Sequence, residues 1–274
     1  MTRDLAAARR DVAEKLSGRS FGPAGQRVVI EEGLSGEECS LLVLCDGRDV
    51  RALAPAQDFK RVGDADTGAN TGGMGAYAPM AHLSSDLVDE VLDRIIAPTV
   101  AELAAREIDF RGVLYAGLML TDQGPKLLEY NVRFGDPEAE VLVPLYGASL
   151  FDLLNGVADG RLGEADAQPS GAAVSVVLAS PGYPEDAKPG GVIDGLGQDG
   201  QLAEAVEGVR VYHAGTRRDA EGRFVTAGGR VLCVTGVAET LAEARRRAYA
   251  GASLVTFGGK VQRTDIARAA TGER

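Results

Sequence analysis

Residues 57–79 read QDFKRVGDADTGANTGGMGAYAP, and residues 128–140 read LEYNVRFGDPEAE. The first stretch gathers Gly63, Gly68, Gly72, Gly73 and Gly75 beside Lys60 and Arg61. Glycine lets a backbone turn its N–H groups onto a ligand with no Cβ in the way. The second stretch sets Glu129 and Asn131 two residues apart, then Arg133, Asp136, Glu138 and Glu140. Residues two apart on a strand face the same side. A carboxylate next to an amide oxygen suits a hard cation such as Mg²⁺. The two stretches together describe a site for an anionic, metal-bound phosphate substrate.

The surrounding chain patterns as an α/β protein. Leu5, Ala8, Val12 and Leu16 recur at helical spacing, which predicts a helix over 4–17 stopped by Gly18. RVVIEE (27–32) is rich in β-branched residues and predicts a strand. CSLLVLC (39–45) predicts another, turning at Asp46 and Gly47 into DVRALAP as an antiparallel meander. Residues 83–106 read as helix, capped by Ser84 or Ser85 and kinked or restarted at Pro98. GVLYAGLMLT (112–121) and PKLLEYN (125–131) form a hairpin, so Glu129 and Asn131 sit at the end of a strand. A helix starts at Ser149 and runs to about Asp159. The polar stretch 162–171 predicts a domain boundary. Beyond it AAVSVVLAS, VRVYHAGT and GGRVLCVTG read as strands, and Thr240 with Glu243 forms a capping box.

Composition narrows the function classes. The chain has 274 residues, 45% hydrophobic and 25% charged, as a folded protein of one or two domains would. Its net charge of −11 makes it a poor general binder of nucleic acid or of anionic membrane. Phosphate binding must then come from a local basic cluster. Cys39, Cys45 and Cys233 are odd in number and form no CxxC, which argues against a disulfide framework or a zinc site. They read as small core residues in a reducing, cytoplasmic setting. No apolar run approaches the ~18 residues of a membrane span. The only histidines, His82 and His213, carry no metal-ligand pattern and read as structural or surface residues.

KRVGDADTGANTGGMGAY, LEYNVRFGDPE, RVVIEEGLSGEE and HAGTRRDAEGRFVTAGGRVLCVTG all resemble the phosphoribosylamine–glycine ligase (glycinamide ribonucleotide synthetase) family of the ATP-grasp superfamily, and the likeness is specific because these long motifs occur in the right order along the chain. The likeness runs from about Asp4 to Ala267. It implies an ATP-grasp domain over residues 1–165, with a small-lobe remnant and hinge in 1–45, and a smaller mixed α/β C-terminal domain over 166–274. It implies ATP-dependent ligation of glycine to 5-phosphoribosylamine through glycyl phosphate, with this chain alone incomplete for it; the alternatives are another ATP-grasp carboxylate–amine ligase and a non-catalytic fragment or subunit that needs an N-terminal partner. The family pattern is longer at its N-terminus, which implies association with an N-terminal fragment. This sequence departs from it at Gly33, Phe59, Ala69 and Glu140.

The resemblance also implies roles for particular residues, each with a plainer reading beside it. Glu31, Glu32 and Leu34 match the hinge that reads adenine, and Glu38 matches the glutamate on the ribose hydroxyls; all four also fit an exposed acidic turn. Lys60 matches a cation on the nucleotide phosphates, or is a solvated surface lysine. Asp66, Thr71, Gly72, Gly73 and Met74 border the phosphoribosylamine and glycine sites, or form an ordinary loop with structural glycines. Glu129 and Asn131 match the ligands of Mg²⁺ or Mn²⁺, or face water on an edge strand. Arg133 holds a carboxylate or phosphate, Asp136 meets the ammonium of glycine, and Glu138 completes the substrate site. Alternatively Arg133 and Asp136 form an ion pair that only shapes the loop.

Overall fold

The computed structural model describes residues 4–20, 22–164 and 167–272. Its contacts divide the chain into residues 1–36 and 37–274.

In the smaller unit, α1 (Leu5–Leu16) forms as its spacing predicts, and Asp4 caps it by accepting from the Ala6 N–H at 2.8 Å. A 3₁₀ turn follows at Gly22–Gln26. The strand expected over 27–32 does not form: among the described residues this segment joins no ladder, and Val29 and Ile30 are exposed. β-propensity describes a fit to a pleated surface, and without a partner strand it does not produce one.

The larger unit holds β1 (Glu37–Asp46), β2 (Val50–Ala52), β3 (Gln57–Asp58), β4 (Arg61–Gly63), β5 (Thr67–Asn70) and β6 (Gly75–Ala78). After two helices come β7 (Arg111–Thr121) and β8 (Gly124–Asn131), then β9 (Ala172–Ala179). β10 (Val209–His213), β11 (Thr216–Arg218), β12 (Phe224–Thr226) and β13 (Arg230–Ala238) complete the strands. The helices are α2 (Ser85–Val91), α3 (Ala97–Ala105), α4 (Ala139–Tyr146), α5 (Ser149–Asp159) and α6 (Leu241–Leu254). One antiparallel sheet runs β2-β1-β7-β8, and a second runs β10-β13-β9-β6-β3. The second sheet therefore joins strands from both sides of residue 165.

Period-2 alternation explains how the first sheet separates two cores. Cys39, Leu41, Val43 and Cys45 of β1 pack with Leu114, Ala116 and Leu118 of β7 and with Val174, Val176 and Leu178 of β9. Leu42 and Leu44 face the opposite way, onto Val141, Leu142 and Leu145 of α4 and Leu153 of α5. All three cysteines are free and buried, as expected, and burial pushes the Cys39 thiol up to about 12. Pro98 lies in the first turn of α3, where its missing N–H is least costly. A π-helical turn at Leu92–Ile96 joins α3 to α2. No local spacing announces α4. Its internal Pro144 and two valines disguise a helix whose Val141, Leu142 and Leu145 are spaced to bury one face. Among the described residues no single helix is long and apolar enough to cross a membrane.

Candidate functional site

The α4 side of the first sheet carries polar residues at one end. Register places Ser40 of β1 opposite Gly117 of β7, and Gly117 opposite Glu129 of β8. Glu38 lies one pleat further along β1, opposite Met119, and Asn131 lies opposite Tyr115. Alternation therefore puts Glu38, Ser40, Tyr115, Glu129 and Asn131 on one face. Gly117 leaves Glu129 room, since a Cβ there would already touch the Glu129 Cγ at 3.4 Å. Asn131 Nδ2 donates to Glu129 Oε1 at 3.3 Å, so the two hard-ligand side chains meet at the strand end. Their oxygen donors fit a small divalent cation with open positions for water and phosphate.

Lys60 reaches this face from the chain leaving β3. Its Nζ lies 2.7 Å from Glu38 Oε2. Burial works against its charge, but the Glu38 hydrogen bond and the charges of Glu38, Asp58 and Glu129 outweigh it and raise its pKa. Glu138, at the start of α4, is 2% exposed. Ser40 Oγ donates to Glu138 Oε1 at 2.7 Å and also bonds the Tyr115 hydroxyl at 2.9 Å. The structure thus gathers Glu38, Lys60, Glu129, Asn131 and Glu138 around one sheet face.

The glycine-rich segment folds as the β4–β5 hairpin and a tight return into β6. Thr71 spends its hydroxyl internally: it donates to the Lys60 carbonyl at 2.9 Å and accepts from the Gly73 N–H at 3.0 Å. Gly73 has φ +106°, and a Cβ there would fall 2.4 Å from Pro137 Cδ. Only glycine fits that close approach. The Gly72 N–H donates to the Tyr183 hydroxyl at 3.1 Å. Met74 is wholly buried in the core. Asp66 accepts from Arg263 Nη1 at 2.7 Å and lines a groove with Glu37, Gln57, Phe59 and His82.

The ion pair considered for Arg133 and Asp136 is replaced by another. Asp136 is held bidentately by Arg230 of β13, at 2.7 and 2.8 Å. Arg230 Nη1 also donates to the Gly72 carbonyl at 2.6 Å. Arg133 instead donates to the Phe134 carbonyl at 2.7 Å and lies 3.5 Å from Asn131 Oδ1. It is exposed and keeps donors for an anion. Glu31 and Glu32 are exposed and Leu34 is half-buried, all in the smaller unit, with backbone groups outside any helix or ladder. His82 pairs with Glu37 at 2.9 Å, and His213 bonds Thr216 and the Gly200 carbonyl, both structural arrangements. Sequence reasoning missed Arg230 and Arg263, because each acts on a partner far away in the chain and no local spacing marks it.

Glu140 adds a pH-sensitive element. Its Oε2 is buried without a partner. Burial first, then the charge of Asp136, raise its pKa from 4.5 to about 7, with Arg230 opposing. A carboxyl that binds its proton more tightly when folded destabilises the fold as pH rises from about 4.5 through about 7. Glu140→Gln is therefore expected to stabilise the protein by roughly 1–3 kcal/mol at pH 8, at 1.36 kcal/mol per unit and discounted for partial exposure. Little gain is expected at pH 5. Thermal unfolding at the two pH values checks this, and equal gains at both would refute it.

Comparison with known proteins places this geometry in a family. The chain is 49% identical to phosphoribosylamine–glycine ligase of Nostoc sp., over 90% of this chain and 57% of that protein. It is 46% identical to the ligase of the same name from Caulobacter vibrioides, over 99% of this chain and 62% of that protein. The chain thus spans about three fifths of the length of these relatives. The crystal structure of phosphoribosylamine–glycine ligase from Thermotoga maritima superimposes with a TM-score of 0.82 at 37% identity, covering 94% of this chain and 63% of that one. A biotin carboxylase domain from Hydrogenobacter thermophilus shares the fold at a TM-score of 0.64 and 17% identity, covering 93% of this chain and 53% of that one. The model described as the ATP-grasp (A) domain of phosphoribosylglycinamide synthetase matches residues 1–139, and that of its C domain matches residues 173–269. With both domain patterns matched in order, this chain belongs to the phosphoribosylglycinamide synthetase family.

Proposed function

We propose that the chain carries the nucleotide, metal and amino acid subsites of an ATP-dependent ligase that joins glycine to 5-phosphoribosylamine. In this reading the glycine carboxylate attacks the γ-phosphate of ATP and gives glycyl phosphate and ADP. The amine of phosphoribosylamine then attacks the acyl carbon and releases phosphate. The observation that carries it is the meeting of Glu129, Asn131, Glu38 and Lys60 on one sheet face in a chain matched by both domain models. Residues 1–165 serve as the ATP-grasp part, with 1–45 as hinge and small-lobe segment, and 166–274 as the C-terminal part.

Each residue then has a physical task. Glu129 and Asn131 would hold Mg²⁺ or Mn²⁺. A divalent ion there supplies charge neutralisation for phosphate oxygens. Lys60 adds a positive charge where phosphoryl charge develops. Arg133 offers paired donors to the glycine carboxylate. The backbone of Glu31, Glu32 and Leu34 reads the adenine edge. Gly72 and Gly73 bring bare backbone close to the substrates, and Arg230 keeps Asp136 and Gly72 in place beside them. Thr71 and Asp66 shape that segment, through the turn and through Arg263. The setting is cytoplasmic, with small-molecule substrates, no nucleic acid and no membrane.

Glu38 accepts two ribose hydroxyls in this reading, and ATP displaces its bond to Lys60. Losing hydrogen bonds to a charged acceptor costs about 1.5–3 kcal/mol. Glu38→Ala is expected to weaken ATP about ten- to a hundredfold and glycine little. Calorimetry with both ligands checks it, and unchanged ATP affinity removes Glu38 from the nucleotide site. The whole reading is tested by assaying the purified chain with ATP, Mg²⁺, glycine and phosphoribosylamine. The assay is repeated with the segment of a relative that this chain does not match. Glycine-dependent release of ADP is expected. Its absence in both arms, or faster release with a different carboxylic acid, overturns the reading.

A further inference from the structure

A glycine-rich segment promises backbone N–H groups to a ligand, yet the fold has already committed those of residues 71–74. Thr71 N–H donates to the Lys60 carbonyl at 2.7 Å, Gly73 N–H to the Thr71 hydroxyl at 3.0 Å, and Met74 N–H to the Phe59 carbonyl at 2.8 Å. These partners lie within the segment or on the chain that leaves β3. Gly72 differs. Its N–H donates to the Tyr183 hydroxyl at 3.1 Å, and its carbonyl accepts from Arg230 Nη1 at 2.6 Å. Both of its backbone groups are thus held by side chains that stand 111 and 158 positions along the chain.

The turn after β9 places Tyr183 for this. Ser180 N–H donates to the Gly229 carbonyl at 2.8 Å, Ser180 Oγ donates to the Gly228 carbonyl at 2.7 Å, and Tyr183 N–H donates to the Ser180 carbonyl at 3.3 Å. The tyrosine ring rests on the bare backbone of Gly229, where a Cβ would stand 2.4 Å from its Cδ2. Arg230 follows directly and grips Asp136 with both terminal nitrogens. Residues 228–230 therefore seat Tyr183 and aim Arg230 together. Through them Gly72 is tied to the loop between β8 and α4, which carries Arg133 and Asp136.

Two adjacent glycines have more backbone freedom to lose than other residues. Such a backbone keeps one orientation only when something outside imposes it. Orientation fixed before the substrates arrive lowers the barrier of the step that follows. Packing alone does not call for the hydroxyl, because the ring already has its seat on Gly229.

We propose that Tyr183 is a positioning residue for the ligation step: its hydroxyl, with Arg230 on the other side, fixes the Gly72 backbone where the acyl phosphate meets the amine. This rests on the ligase reading of the site. With Gly72 loose, the amine attacks less often before water does. Water attacking the acyl carbon returns glycine and phosphate, so ATP is spent without ligation.

Tyr183→Phe keeps the ring and removes the hydroxyl. It is assayed with ATP, Mg²⁺, glycine and phosphoribosylamine, with and without the segment of a relative, and ADP and ligated product are both counted. The variant is expected to lower kcat for product about three- to tenfold, the worth of one hydrogen bond, while the KM for ATP stays within about twofold. ADP released per product should rise. A purely structural role would lower the melting temperature and scale ADP and product equally, leaving their ratio unchanged. Gly229→Ala, which pushes the ring off its seat, should raise the same ratio. Hydrogen exchange gives a readout that needs no turnover: the Gly72 amide should exchange about threefold faster or more in Tyr183→Phe, with Met74 unchanged. An unchanged Gly72 amide, or an unchanged ratio of ADP to product, overturns the inference and leaves the ligase reading standing. No glycine-dependent ADP from the unaltered chain in either arm overturns both.

Discussion

Glu129→Ala is expected to lower glycine-dependent ADP release by about 10²–10³-fold while the fold stays intact. The size follows from the proposed reading, in which Glu129 would hold the cation that offsets developing phosphoryl charge. Glu129 is exposed at the end of β8, opposite Gly117, and among the described residues its side chain hydrogen-bonds only Asn131. Truncating it creates no cavity, so a stability change within about 0.5 kcal/mol is expected. The variant therefore separates chemistry from folding. An unchanged melting temperature with lost turnover and weakened Mg²⁺–nucleotide binding is the supporting result. Near-normal turnover would remove Glu129 from the metal site. Asn131→Ala should move the same quantities in the same direction but less, since it removes a neutral donor set.

The largest expected stability effect belongs to Arg263→Ala. Arg263 is 1% exposed, yet it is charged. Its Nε and Nη2 donate to Asp265 at 2.7 and 2.8 Å, and its Nη1 donates to Asp66 at 2.7 Å and to the Arg61 carbonyl at 3.2 Å. The guanidinium also lies 4.8 Å from the Phe59 ring centroid. Removing the buried guanidinium leaves the half-buried Asp265 without its cation and a space beside Phe59, at about 3–5 kcal/mol, while the exposed Asp66 adds little. For a chain of this size that is a fall in melting temperature on the order of 10 °C. The deficit should depend on pH. Burial opposes ionisation of Asp265, but Arg263 and the Ala65 N–H overcome it and lower its pKa to about 2. A depressed carboxyl pKa contributes stability above its unfolded value of about 3.8 and loses it as pH falls through about 2. The variant should therefore differ most from the unaltered chain near neutral pH and least in acid. A deficit below 1 kcal/mol at pH 7 would show that the network contributes little net stability. Arg263 also ties Asp66 and the hairpin to the C-terminal residues, so the variant should disorder the glycine-rich segment first. Hydrogen exchange at residues 61–70 would read that.

Much of this site was legible in the sequence because local geometry sets it. Period 2 places Glu129 and Asn131 on one face whatever the rest of the chain does. The alternation in 39–45 and 112–121 divides each strand between two surfaces, and two apolar cores formed on them. Ser84 and Thr240 cap their helices because a side-chain oxygen one residue ahead of a helix meets a free N–H in any context. The capping box at Thr240 is only half formed, since Glu243 turns to Arg246 and Arg247 instead of back to the cap. That competition was invisible in a pattern read one turn at a time.

What the sequence by itself determined is therefore what lies within a few residues: strand faces, caps, the glycine turn, and the pairing of two hard ligands. Tertiary structure alone decided which charges meet. Arg230 took Asp136 away from Arg133, and Arg263 took Asp66, across 94 and 197 residues of chain. Sheet order brings them together, with β9 lying between β6 and β13 in one sheet. It also decided that 27–32 stays unpaired while the similar apolar run at 39–45 becomes a central strand. The physical reason is the same in each case. A side chain's direction follows from its own backbone, but its partner follows from how distant segments close into sheets, and no local spacing encodes that.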